Sequence, residues 1–139
     1  MNTEINVEFC LYGDELNPDD ITESLELVPS LRYKKGDLIK EKGTLTRVEG
    51  CWEIETGYAP SLDINDALVK MKDILHDKKE KIIEIKRAGK LGCRWTIVIK
   101  VYEDDVPGMH FSSSMLSFIV NDLEAEMDIC QYVIREESH

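Results

Sequence analysis

The stretch W-T-I-V-I-K-V-Y, from Trp95 to Tyr102, decides the class of fold. Trp95, Ile97, Ile99 and Val101 alternate with Thr96, Val98, Lys100 and Tyr102. That period of two marks a strand with one face toward a core and the other toward a more polar side. Upstream, Ile64, Leu68, Met71, Leu75, Ile82 and Ile85 recur at spacings of three, four and seven, which predicts an amphipathic helix. Asp63 or Asn65 can cap it, Ala88-Gly89 ends it, and Lys86 and Arg87 lie in its last turn. The charged stretch from His76 to Lys81 is either a solvated face or a break into two helices. Downstream, E-D-D-V-P-G (103–108) reads as a loop, and Leu116, Ile119, Val120 and Leu123 define a further helix. One of Ser112 to Ser114 caps that helix, and a last strand runs from Ile129 to Ile134 before a polar tail.

The N-terminal half repeats the theme. Ile5, Val7, Phe9 and Leu11 alternate with Asn6, Glu8, Cys10 and Tyr12, so a half-buried strand ends at Gly13. Asn17-Pro18 is an N-cap followed by proline at the first helical position, with Asp19 and Asp20 at the positive end of the helix dipole. Ile21, Leu25 and Val28 are expected to face the core, and Pro29 limits the helix. Leu31 to Thr56 reads as a pair of strands, the second through G-C-W-E-I-E-T. The order β-α-β-β-α-β-α-β predicts an α+β fold, a mostly antiparallel sheet with helices packed on a face. Its first six elements match the ferredoxin-like split β-α-β pattern. At 139 residues the chain fits one domain, residues 1–139.

Charge narrows the partners. The net charge is −11, and residues 1–31 hold eight acids and no base. Residues 101–139 hold nine acids and one base, whereas residues 70–100 hold ten bases and four acids. Acidic ends of this kind disfavour nucleic acid and membrane surfaces and favour a basic partner. The bases between Lys70 and Lys100 are interspersed with Asp73, Asp77, Glu80 and Glu84 and lack interleaved aromatics, so they read as a solvated helix face. No apolar run reaches the roughly 20 residues of a membrane span, and no signal peptide is visible. Cys10, Cys51, Cys93 and Cys130 are far apart, and three lie in predicted strands, so a reduced cytoplasmic protein is expected.

Y-G-D-E-L-N-P-D-D-I-T-E-S-L-E-L-V-P-S (12–30), R-Y-K-K-G-D (32–37) and G-C-W-E-I (50–54) resemble the landmarks of the bacterial domain-of-unknown-function 4279 family. These are a strand ending in G-D, a proline and acids leading into an I-T helix, a K-G turn and a tryptophan strand. The resemblance implies a fold and no activity. By analogy with small acidic proteins that accompany secreted bacterial toxins, it also implies an immunity-type role.

Little in the chain looks like chemistry. G-D-E-L-N-P-D-D-I-T (13–22) is rich in carboxylates, but Leu16 and Pro18 stand where a calcium loop needs ligands. No metal site and no cofactor are expected. His76 lies in a charged helix stretch, His110 in a loop and His139 in the tail; none forms a recognisable catalytic motif. Trp52 and Trp95 fall on strands and read as core. We therefore expect a non-enzymatic acidic binding protein, with Asp14, Glu15, Glu53, Glu55, Asp104 and Asp105 contributing to its partner-binding surface. The alternatives are an enzyme or small-ligand protein with a helix–sheet pocket served by His110 or a cysteine, and a housekeeping scaffold.

Overall fold

The computed structural model describes residues 1–136. The element order is β1 (Glu4–Gly13), α1 (Pro18–Leu25), β2 (Leu31–Tyr33), β3 (Gly50–Glu55), β4 (Ala59–Pro60), α2 (Asn65–Leu75), α3 (Lys79–Gly89), β5 (Gly92–Tyr102), α4 (Ser113–Leu116) and β6 (Glu126–Ile134). The sheet runs β2-β3-β1-β5-β6, with the short β4 pairing the start of β1. Every pair is antiparallel except β5 with β6. Two β-α-β units are interleaved: β3 lies between β1 and β2, and β1 lies between β3 and β5. This is the split arrangement expected from the element order. The segment 103–125 then carries the chain across to β6, the crossover that a parallel neighbour requires.

All four helices cover one face of the sheet. Ile5, Val7, Phe9 and Leu11 of β1 meet Trp52 and Ile54 of β3 and Cys93, Trp95, Ile97 and Ile99 of β5 on that side. Ile21, Leu25, Leu68, Met71, Leu75, Ile82 and Phe118 close the core from the helices. Removing this apolar surface from water is the main stabilising term. The Trp52 indole N–H donates to Thr22 Oγ1 at 3.0 Å, so α1 is registered on β3 by a part-buried polar contact.

Several boundaries differ from the sequence expectation for local reasons. Asn17 does cap α1, its Oδ1 accepting from Asp19 N at 3.1 Å. Glu26 then turns left-handed at φ 55°, which ends the helix and leaves Val28 87% exposed rather than in the core. The predicted long helix breaks at a 3-10 turn over His76–Lys78, and its left-handed cap is Lys90, one residue beyond Gly89. Asp63 Oδ1 accepts from Asn65 N at 2.9 Å at the start of α2. Ser112 caps α4, but the chain opens into a π turn over Ser117–Asp122. That wider turn moves the buried stripe to Met115, Phe118, Ile119 and Leu123 and leaves Leu116 and Val120 exposed. Lys86 stabilises the far end of this segment. Its Nζ donates to the carbonyls of Leu123 at 2.9 Å and Glu124 at 2.8 Å.

Candidate functional site

Among the described residues the opposite face of the sheet carries no helix, and alternation decides what it displays. Asn6, Glu8, Cys10 and Tyr12 of β1 project there, in register with Glu55, Glu53 and Cys51 of β3. On the other flank stand Arg94, Thr96, Val98, Lys100 and Tyr102 of β5, beside Glu126, Asp128, Cys130 and Tyr132 of β6. The aromatic residues divide accordingly. Both tryptophans are buried on the helix side with Phe9 and Phe118. All five tyrosines sit on or border the open face: Tyr12, Tyr33, Tyr102 and Tyr132 by strand register, and Tyr58 by covering Lys100. Tyrosine combines a large apolar body with a hydroxyl and is enriched where proteins meet other proteins.

Charge is arranged unevenly across this face. On the β5/β6 flank, Arg94 pairs with Asp128 at 3.4 Å and Glu126 at 3.7 Å and lies over the Tyr12 ring. On the β1/β3 flank, Glu8, Glu53 and Glu55 crowd together, and among the described residues no ion pair reaches them. Burial, followed by the charge of Glu8, pushes the Glu53 carboxyl up to about 8. Glu8 is also raised, chiefly by burial. Asn6 is buried and donates Nδ2 to Glu55 Oε2 at 3.1 Å, while its Oδ1 accepts from Gly57 N at 3.0 Å. That amide fixes one edge of the acidic cluster.

Beside the carboxylates lies a pair of thiols. Cys10 faces Glu53 across the β1–β3 ladder, and its Sγ is 3.3 Å from Cys51 Sγ on the diagonal. Cys51 is 5% exposed, whereas Cys10 is half-buried. Hydrogen bonding from Cys10, helped by Tyr33, lowers the Cys51 thiol to about 7. The Cys10 thiol moves the opposite way, because it is hydrogen-bonded to Cys51 and buried. Arg47 lies 4.0 Å over the Tyr33 ring, so these two side chains border the thiols. Cys93 belongs to the core side, where burial pushes its thiol up to about 11.

The six acids expected from sequence occupy three places. Glu53 and Glu55 lie together on the open face. Asp14 and Glu15 follow the C-terminal end of β1, where Asp14 accepts from Lys35 Nζ at 3.3 Å. Asp104 and Asp105 are at the other end of the sheet, in the turn after β5. The Asp105 carbonyl accepts from Thr3 Oγ1 at 2.7 Å, and Asp104 pairs with Arg135 at 3.3 Å. Ten residues of β1 separate those ends, about 30 Å at the rise of a strand. One partner touching all six acids would have to span that length.

Glu8, Cys10 and Cys51 are the members that the sequence reading did not single out. All three stand at the outward positions of their strands, but only the β1–β3 register brings them beside Glu53. His76 is on the helix side, 6.0 Å from the Phe118 ring centre, whereas Cys10, Cys51 and Cys130 project to the open face. His110 is exposed, and its carbonyl accepts from Asn65 Nδ2 at 2.8 Å. His139 lies outside the described residues. A cleft of about 460 Å³ between β4 and the start of α2 is lined by Ile5, Pro60, Asn65 and Asp66, among others, and by neither histidine nor cysteine. Among the described residues no group of three or more potential ligand side chains could hold a metal ion. No helix of the described residues is long and apolar enough to cross a membrane.

The fold and its open acidic face define an α+β chain with helices on a single side of the sheet. The chain belongs to the family described as Domain of unknown function (DUF4279), whose model matches residues 3–134. Comparison with curated proteins and comparison with solved structures each found no match.

Proposed function

We propose that this is a non-enzymatic acidic binding protein of the immunity type, which neutralises a bacterial toxin by covering a basic surface. The observation that carries the reading is the helix-free face, where Glu8, Glu53 and Glu55 crowd together with no ion pair among the described residues and Tyr12, Tyr33 and Tyr58 lie on or beside the same face. A lysine or arginine placed there would relieve the repulsion and find rigid aromatic contact area nearby. The arm between β2 and β3 adds an apolar element. It is closed by the Leu38–Thr46 bridge and exposes Leu38, Ile39, Leu45 and Val48. On this reading the protein acts in the cytoplasm, with its cysteines reduced, and its partner is a basic protein rather than nucleic acid or membrane.

Capture on the immobilised protein, elution with a salt gradient and mass spectrometry test this directly. One basic protein is expected to be retained to high salt. Charge reversal in E53K/E55K, which also relieves the carboxylate crowding, is expected to release it at much lower salt. Elution unchanged in that variant would rule out the open face, and loss on D14K/E15K or D104K/D105K instead would move the contact to an end of the sheet.

A further inference from the structure

We propose that Cys10 and Cys51 form a reversible dithiol–disulfide site on the open face, oxidised by a hydroperoxide, with Glu53 as the proton donor. The inference does not depend on the toxin reading. The two sulfurs are 3.3 Å apart on adjacent antiparallel strands, so a bond requires them to close by about 1.3 Å. The two cysteines are diagonal neighbours on the ladder, so closure draws the β1 and β3 backbones slightly together as the side chains rotate. Either sulfur can donate to the other, so once the pair has lost one proton the remaining one can pass from Cys10 to Cys51. Cys10 is the half-buried member and the one an oxidant reaches, whereas Cys51 lies beneath the surface as the resolving thiol. Glu53 stands directly across the ladder from Cys10. A half-buried carboxyl, crowded by Glu8 and Glu55, keeps its proton at a pH where an isolated one has lost it.

The Cys10 sulfur attacks the terminal oxygen of the hydroperoxide as its proton passes along the S–S contact to the Cys51 thiolate; an S–O bond forms and the O–O bond breaks. The departing alkoxide takes the Glu53 proton and leaves as an alcohol, or as water when the oxidant is hydrogen peroxide. Cys51 Sγ then attacks the Cys10 sulfur. The S–S bond forms, the S–O bond breaks, and the hydroxide leaves as water with the Cys51 proton. Two thiols have lost two electrons to the peroxide, and Glu53 regains its proton from solvent. An external dithiol reverses the oxidation by thiol–disulfide exchange. Cys93, enclosed in the core beside the Leu123 carbonyl, has no such neighbour among the described residues. Cys130 faces Val98 in the parallel ladder.

The test treats the reduced full-length chain with one equivalent of hydrogen peroxide and measures intact mass. A fall of about 2 Da, reversed by dithiothreitol, and a peptide linking Cys10 to Cys51 are expected. C10S and C51S should each abolish that species, and C130S should retain it. E53Q should still form the bridge but at least tenfold more slowly at neutral pH. A mass gain of oxygen without the 2 Da loss, or a bridge between chains that disappears in C130S, overturns the site. An unchanged rate in E53Q overturns the role of Glu53. The C130S measurement stands even if C10S or C51S fails to fold.

Discussion

Glu53 shows how one residue inherits its chemistry from its neighbours. In an unfolded chain its carboxyl titrates near 4.5, but burial and the charge of Glu8 raise it to about 8 in the fold. Between those values the native state binds more protons than the unfolded state, so stability falls as pH rises across that window. Thermal unfolding followed from pH 5 to pH 9 should therefore show a declining midpoint. E53Q should flatten the decline and stabilise the protein at pH 9 by on the order of 1 kcal/mol, a value discounted for partial exposure. A midpoint equally pH-dependent in E53Q would contradict this origin. Asn6 is the complementary case. It is buried and holds both Glu55 and the backbone of Gly57, so N6A should cost about 1–3 kcal/mol in denaturant unfolding. The sequence placed Asn6, Glu8 and Cys10 on the outward side of β1 by parity alone, and that placement holds. Which outward residue meets which was beyond its reach, because the β1–β3 register depends on the whole intervening chain.

At the scale of elements, the sequence was most legible where a local rule had no competitor. Alternation predicts β1 and β5, and the Asn17-Pro18 cap predicts the start of α1. It was least legible where the backbone departs from regular geometry. Leu116 and Val120 fit a regular helical stripe, but the π turn over Ser117–Asp122 shifts the phase and buries Phe118. Lys86 is the clearest example of a long-range device that looks local. It occupies the last turn of α3, where a cation suits the dipole of its own helix, yet its ammonium binds carbonyls at the end of the α4 segment. K86M keeps most of the stem but leaves the Leu123 and Glu124 carbonyls without this donor. It should cost about 2–3 kcal/mol in chemical denaturation and raise hydrogen exchange chiefly over 117–125. A loss spread evenly over the chain would argue against this role.

For the whole molecule, the sheet separates two tasks. One side is filled by helices, and the other is left to present charge and aromatic surface. If a basic partner seats on that surface, Glu53 must give up its proton to pair with it. Association should then strengthen as pH rises from 6 to 8, by up to about tenfold per unit, and calorimetry in buffers of different ionisation enthalpy should detect proton release. An affinity independent of pH over that range would place the contact away from Glu53. The division of aromatic residues has a separate, optical consequence. Indole emission arises from Trp52 and Trp95, both enclosed beneath the helices, whereas the phenol chromophores are gathered on the other side. Tryptophan fluorescence should therefore follow the integrity of the core, while tyrosine difference absorbance follows events on the exposed sheet. One sample can report unfolding and surface occupancy through two independent spectral windows.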